Sequence, residues 1–248
     1  MKIIAIVTAR LTSKRLPGKT LKPILGIPMI ELLIKRLSFS KKINQIIVAI
    51  PKNKKNNKLN NFLNKKKYHV FRGSEKNVLK RFFNAAKLYK ADIVVRITGD
   101  CPLIDYKIVD SLIIKLIKNK KEYITNANPL TYPDGLDAEV MTFRALKKCY
   151  KLVKKNYDKE HVTTFIRNSK KFNVIYNQYK KNYSNERWVV DEKSDLIVVK
   201  KIFKYFKPRI NFGWLEIIKL RKRKPKIFEI NKSVKIKNEY KKALFVNL

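Results

Sequence analysis

Short apolar runs alternate with amphipathic stretches through the first half of the chain. Residues 2–8 are β-branched and apolar almost throughout, long enough for one buried strand and too short for a helix. The same pattern recurs at 43–50 (stopped by Pro51), 68–71, 92–98 and 123–126. Between these runs the period changes to that of a helix. Ile30, Leu33, Ile34 and Leu37 follow Pro28; Val78, Leu79, Phe82, Phe83 and Ala86 follow Ser74 and Asn77; residues 108–118 repeat the pattern. Residues 54–64, rich in lysine and asparagine, read as an exposed helix or loop, and Leu196, Val199 and Ile202 mark a further helix. Buried strands alternating with amphipathic helices predict an α/β fold: a mainly parallel twisted sheet with helices on both faces.

In such sheets ligands bind beyond the carboxyl ends of the strands. The informative loops are therefore those after Thr8, Phe71 and Thr98. No internal repeat or low-complexity linker divides the chain. The expected organisation is one domain over residues 1–208, with an excursion at about 127–145, and a basic C-terminal extension, 209–248, packed on the same domain.

Composition adds a charge problem. Lysine and arginine total 59 against 19 acidic residues, a formal +40 over 248 residues. Such an excess suits a nucleic-acid-binding α/β protein, since cations release counterions from a phosphate backbone. Yet 47 of the 59 are lysines, dispersed in short runs, in a chain also rich in asparagine and isoleucine. All three have A- and T-rich codons, and the composition reads as genome bias, with the lysines solvating helix ends and loops. Two cysteines cannot build a disulfide framework, and no apolar run approaches a membrane span, which makes a cytoplasmic location the expectation.

The loop after the first strand, Ala9-Arg10-Leu11-Thr12-Ser13-Lys14-Arg15-Leu16-Pro17-Gly18-Lys19, combines cations, a hydroxyl and a turn. Phosphates need that set: neutralising charge and freed backbone N–H groups. Gly18-Lys19-Thr20 mimics the end of a P-loop, but Ser13 stands where the required first glycine would be.

This loop resembles the signature of the cytidylyltransferases that activate sugar acids as CMP derivatives. Further segments resemble, in the same order, the branch named for spore coat polysaccharide biosynthesis protein F: Arg72-Gly73-Ser74 through Arg81, Arg96-Ile97-Thr98-Gly99-Asp100-Cys101-Pro102, Tyr132-Pro133-Asp134-Gly135-Leu136-Asp137-Ala138-Glu139, Glu160-His161-Val162-Thr163, Arg187-Trp188-Val189-Val190-Asp191-Glu192, and the tail from Ile230-Asn231 to Tyr240. Departures occur at Asn77 (aspartate in the branch), Thr164 (proline) and Lys193-Ser194 (proline-glutamate), and no glycine separates Glu239 from Tyr240.

The resemblance implies a Rossmann-like fold of the nucleotide-diphospho-sugar transferase kind and a magnesium-dependent transfer of CMP from CTP to a sugar acid or related sugar, with pyrophosphate released. It assigns Arg10, Arg15 and Lys19 to the triphosphate as catalytic cations. Ala9, Ser13, Arg72, Gly73, Ser74 and Arg81 join Arg10 and Lys19 around the nucleotide. Asp100 and Asp191 become the Mg2+ ligands, and Asp134, Asp137, Glu139 and His161 the sugar-side residues. It also implies a homodimer in contact through 127–145. Cys101 reads as a packing residue, since no His–Asn pattern surrounds it, and His69 as structural. Transfer from another nucleotide is a third reading; the glycine-rich start of many such enzymes is replaced here by Thr8-Ala9-Arg10.

Overall fold

The computed structural model describes residues 1–234. Its main sheet has seven strands in the order β5-β4-β1-β6-β8-β7-β9. Those ranges are β1 Ile3–Thr8, β4 Gln45–Pro51, β5 His69–Gly73, β6 Ile93–Thr98, β7 Tyr123–Thr125, β8 Glu139–Thr142 and β9 Val174–Tyr176. A small hairpin, β2 (Pro23–Ile24) with β3 (Ile27–Pro28), turns at Leu25-Gly26, both at positive φ. Strands β5, β4, β1 and β6 run parallel, β8 is antiparallel to both neighbours, and β7 pairs parallel with β9.

Strand β1 is buried on both faces, so its side chains divide by alternation. Ile3, Ala5 and Val7 pack with helices α1 (Met29–Leu37), α4 (Tyr106–Lys118), α8 (Lys193–Phe206) and α9 (Trp214–Arg223). Ile4 and Ile6 pack with α3 (Val78–Leu88) and α5 (Phe143–Leu152). Helix α2 (Asn57–Lys65) is the lysine- and asparagine-rich stretch; buried Leu59 and Leu63, with half-buried Phe62, hold it to the core. Short helices α6 (Asn156–His161), α7 (Thr164–Asn168) and α10 (Lys226–Glu229) complete the described chain. Among the described residues no helix is long and apolar enough to cross a membrane. Both cysteines are free and buried.

The segment 127–145 leaves the sheet over 127–138 and rejoins it as β8, hydrogen-bonded between β6 and β7. Its reversed direction and four-residue length gave no period to read, and Glu139 at its start looks like the end of a loop. Within 127–145 only Pro129 and Arg144 are exposed. The C-terminal extension contributes to the core as well as to the surface. Trp214, Ile217, Ile218 and Leu220 are buried, while Arg221–Lys224 stay exposed. The part of the tail motif from 235 to 240 lies outside the described residues.

Arg36 joins this extension to the core. Its guanidinium, 1% exposed on α1, donates to the carbonyls of Leu103 and Ile104 (both 3.2 Å), Phe212 (3.1 Å) and Ile210. It lies 4.4 Å from the Phe212 ring centroid. Burial lowers its pKa to about 10, against the pull of Asp105, so it remains charged at neutral pH. Arg36→Met strands these carbonyls; unfolding in urea should show a loss of about 3 kcal/mol.

Candidate active site

The chain runs outward from β1 to β4 and β5, then returns to place β6 on the other side of β1. The carboxyl ends of β1 and β6 thus form a topological switch point, where loops diverge and leave a crevice. The backbones meet closely there. Gly99 N donates to Thr8 O at 2.8 Å, and a Cβ on Gly99 would stand 2.8 Å from that same oxygen. A side chain at 99 would force the two loops apart.

The crevice has a volume of about 520 Å³. Cations enter from the opening loop (Arg10, Lys14, Arg15, Lys19), from α3 (Arg81) and as Arg96 and Arg187; facing them are Asp100, Asp134 with Asp137, and Asp191. The opening loop is pinned at several points. Leu11 N donates to Asn56 Oδ1 (2.9 Å), Gly18 N to Leu11 O (3.0 Å) and Thr20 Oγ1 to Arg10 O (2.7 Å). Ala9 and Ser13 line the same crevice, Ser13 Oγ accepting from Leu16 N.

At the floor, Lys19 is 9% exposed, and its Nζ donates to Asp100 Oδ2 (2.9 Å), Asp191 Oδ1 (2.9 Å) and Val190 O (2.8 Å). Two carboxylates 91 positions apart in the sequence therefore lie within twice 2.9 Å of each other. Burial alone would lower the Lys19 ammonium, but the charges of Asp100 and Asp191 outweigh it and hold it above its ordinary value. Burial would likewise raise Asp100, and Lys19 overrides that and keeps its carboxyl low. Lys19 and Asp100 thus stabilise each other's charged form. Cys101 beside it is buried, and desolvation next to Asp100 pushes its thiol far up, so it is an inert packing residue.

Asp191 also receives Arg15 Nη2 (2.6 Å) and Arg187 Nη2 (3.5 Å). The turn that carries it is held by charge. Asp195, fully buried, accepts from the backbone N–H of Asp191 (3.0 Å) and Glu192 (2.9 Å), closing a capping box at the start of α8. Arg187 grips Asp195 through two parallel bonds of 2.9 Å and reaches Asp134 at 3.2 Å. Asn231 adds a bond to Asp195 (2.9 Å) and one to Arg187 O (3.1 Å). Arg187 and Asp195 were not singled out by the sequence reading. A buried arginine four residues from one acid and eight from another is their sole local trace.

The loop with Asp134 and Asp137 is clamped against the 187–190 segment. Gly135 has φ +105°, and a Cβ there would lie 2.4 Å from Val189 N. Asn126 holds the other side, donating to Leu136 O (3.0 Å) and accepting from Ala138 N (2.8 Å). Burial lifts the Asp134 carboxyl to about 6 despite Arg187. Asp137 is raised further, by burial and then by Asp134, Glu139 and Asp100, and its Oδ1 is buried with no partner among the described residues.

Several predicted residues lie elsewhere. Glu139 is 1% exposed and does not line the crevice. It accepts from Tyr123 OH (2.6 Å) and Thr163 Oγ1 (2.7 Å) and pairs with Arg96 and Arg167. These partners outweigh burial and keep it ionised as a structural anion inside the sheet. Arg72 turns away, to Asn53 O (3.0 Å) and Asn57 Oδ1 (2.8 Å), and Gly73 and Ser74 do not line the crevice either. The turn's part is to aim Arg81. A Cβ at Gly73 would meet the Arg81 stem at 2.8 Å, and Ser74 O accepts from its Nη1. Asn77 replaces aspartate without loss of the cap, since its Oδ1 accepts from Lys80 N (2.7 Å). His161 and Glu160 line the crevice at the end of α6, the His161 ring 4.2 Å from that of Tyr157. His69 is an exposed residue on the edge strand β5.

The Asp195 cluster yields a pH-dependent prediction. Burial works to raise this carboxyl, but the Arg187 and Asn231 hydrogen bonds outweigh it and hold it below 3.8. Asp195→Asn should cost about 3 kcal/mol at pH 7. The deficit persists at every pH above the ordinary carboxylate value and shrinks as pH falls through the lowered one, where the parent protein also loses the charge. Urea unfolding at a series of pH values measures it.

Known proteins fall in with this geometry. The family model described as "Cytidylyltransferase" matches residues 4–236. The chain is 39% identical over 241 residues to uncharacterized protein MJ1063 of Methanocaldococcus jannaschii, covering 96% of this chain and 98% of that one. It is 27% identical to the spore coat polysaccharide biosynthesis protein SpsF of Bacillus subtilis, covering 90% and 95%. A cytidylyltransferase structure from Leptospira borgpetersenii superposes with a TM-score of 0.88 at 31% identity, over 95% of this chain and 99% of that one. A switch-point crevice with cations on its opening loop and carboxylates facing them thus has its counterpart in sequence, and the chain belongs to the cytidylyltransferase family.

Proposed function

We propose that the protein transfers the cytidylyl group of CTP to a hydroxyl of a sugar acid or related sugar, with loss of pyrophosphate, in the assembly of a surface polysaccharide. The observation that carries this reading is the convergence of Asp100 and Asp191 on one cation at the floor of a crevice rimmed by Arg10, Lys14, Arg15 and Arg81. The polysaccharide setting is that of the SpsF relative.

Magnesium fits the donor set. It binds through one or two carboxylates and takes its remaining ligands from phosphates and water. Asp100 and Asp191 supply such a pair, and no group of three metal-holding side chains occurs among the described residues. When bound, the ion would supply charge neutralisation at the phosphates. The chain's own residues do the rest by position. Arg10, Arg15 and Lys19 neutralise the triphosphate and stabilise charge on the departing pyrophosphate. Arg81, 4% exposed, has an Nε with no partner among the described residues and offers a donor toward the nucleotide, with Ala9 and Ser13 beside it. Asp134, Asp137 and His161 face the acceptor, where the unpartnered Asp137 Oδ1 orients a sugar hydroxyl for attack on the α-phosphorus.

Incubated with CTP, Mg2+ and a panel of ulosonic and related sugars, the protein should release pyrophosphate with at least one of them. Asp100→Asn should lower that turnover by about a hundredfold or more with the fold retained by circular dichroism; full activity would remove Asp100 from the metal site. Asp137→Asn should raise KM for the sugar while leaving KM for CTP unchanged. CTP should also stabilise the protein against heat more than ATP, GTP or UTP with magnesium present, and an equal or better response to another nucleotide would reassign the donor.

A further inference from the structure

Lys19 cannot serve the triphosphate and the carboxylate pair with the same donors. An ammonium has three N–H groups, and here all three are engaged, by Asp100 Oδ2, Asp191 Oδ1 and Val190 O at 2.8–2.9 Å. Its head stands between the two oxygens that a divalent cation would use. A second cation placed there would meet the ammonium at close range, where like charges repel strongly. The backbone beneath is fixed by Gly18 N to Leu11 O, Lys19 N to Leu16 O and Thr20 Oγ1 to Arg10 O. The side chain, by contrast, turns about four bonds and can swing without moving the loop.

On the cytidylyltransferase reading, we infer that Lys19 is an internal counter-cation. It neutralises Asp100 and Asp191 in the empty enzyme and moves to the nucleotide phosphates on binding, which frees the carboxylate pair for the metal. Metal and nucleotide then bind synergistically, and Lys19 is the coupling element. The carboxylates need such a guard. Val190 N donates to Asp100 O at 2.8 Å, so the loops that carry them are joined whether or not a metal is present, and their repulsion must be met by some charge. Arg15 and Arg187 approach Asp191 through its other oxygen, Oδ2, and no ion pair other than that with Lys19 reaches Asp100 among the described residues.

Mn2+ binding to the full chain, followed by the electron-paramagnetic-resonance signal of the free ion, separates this role from simple phosphate binding. Without nucleotide, Lys19→Met should bind Mn2+ about tenfold to a hundredfold more tightly than the parent, the size of an ordinary coupling between sites. Lys19→Arg, which keeps the charge, should show no such gain. The melting temperature of Lys19→Met should fall without metal and recover with it, and Lys19→Gln repeats the test should the methionine variant fold poorly. Mn2+ affinity in the neutral variants equal to or weaker than that of the parent overturns the inference. If CTP with Mn2+ still stabilises the parent protein, the functional reading survives that result. If CTP gives no stabilisation and Mn2+ binds neither parent nor variant, both fall.

Discussion

The site depends on keeping carboxylates together that would otherwise drive each other apart. Asp100, Asp134, Asp137 and Asp191 share one crevice, with Asp195 directly behind. At short range in a partly buried site each like-charged neighbour adds repulsion that water cannot screen. The fold answers with cations matched to particular oxygens. Lys19 takes one oxygen each of Asp100 and Asp191, while Arg187 takes both of Asp195 and one of Asp134. At Asp137 burial and the neighbouring carboxylates outweigh the pull of Arg96, and the carboxyl is driven toward its neutral form. Charge complementarity sets the geometry of the crevice as much as hydrophobic packing sets the sheet beneath it.

The parallel half of that sheet is legible in the sequence because its central strands, buried on both faces, are nearly continuous apolar runs, and the edge strand β5 still shows as a short run ending at Arg72-Gly73. Residues 2–8, 43–50, 68–71 and 92–98 all became neighbouring strands. The other half was less legible for a definite reason. Strand β8 has four residues, begins with a buried glutamate and runs against its neighbours, and β9 has three residues. Neither is long enough to display a period, and both are specified by partners distant in the chain. Helix α9 was hidden differently: its arginines and lysines dominate the composition, while its core contacts come from Trp214, Ile217, Ile218 and Leu220.

The site shows the same division. The opening-loop cations and Asp100 stood out because a charged loop directly after a buried strand is a local feature. Asp191 was found through resemblance, and what fixes it, the Arg187–Asp195 grip, is a relation between side chains that no spacing rule announces. Glu139 and Arg72 show the converse. Each sits in a segment rich in site residues, and each is spent on structure: Glu139 on Arg96, Tyr123 and Thr163, Arg72 on the 53–57 turn. Membership of a motif marks the neighbourhood, and a side chain's hydrogen-bond partners decide its task.

The bonds of Asn231 carry this further. Its amide reaches both Asp195 and the Arg187 carbonyl, forty residues beyond Asp191. The last described turn of the protein therefore acts as a keystone behind the crevice, although every candidate ligand precedes it. A chain shortened before this asparagine would keep the whole roster of charged groups, yet it would lose the brace that holds Asp195, and with it Asp191, in register.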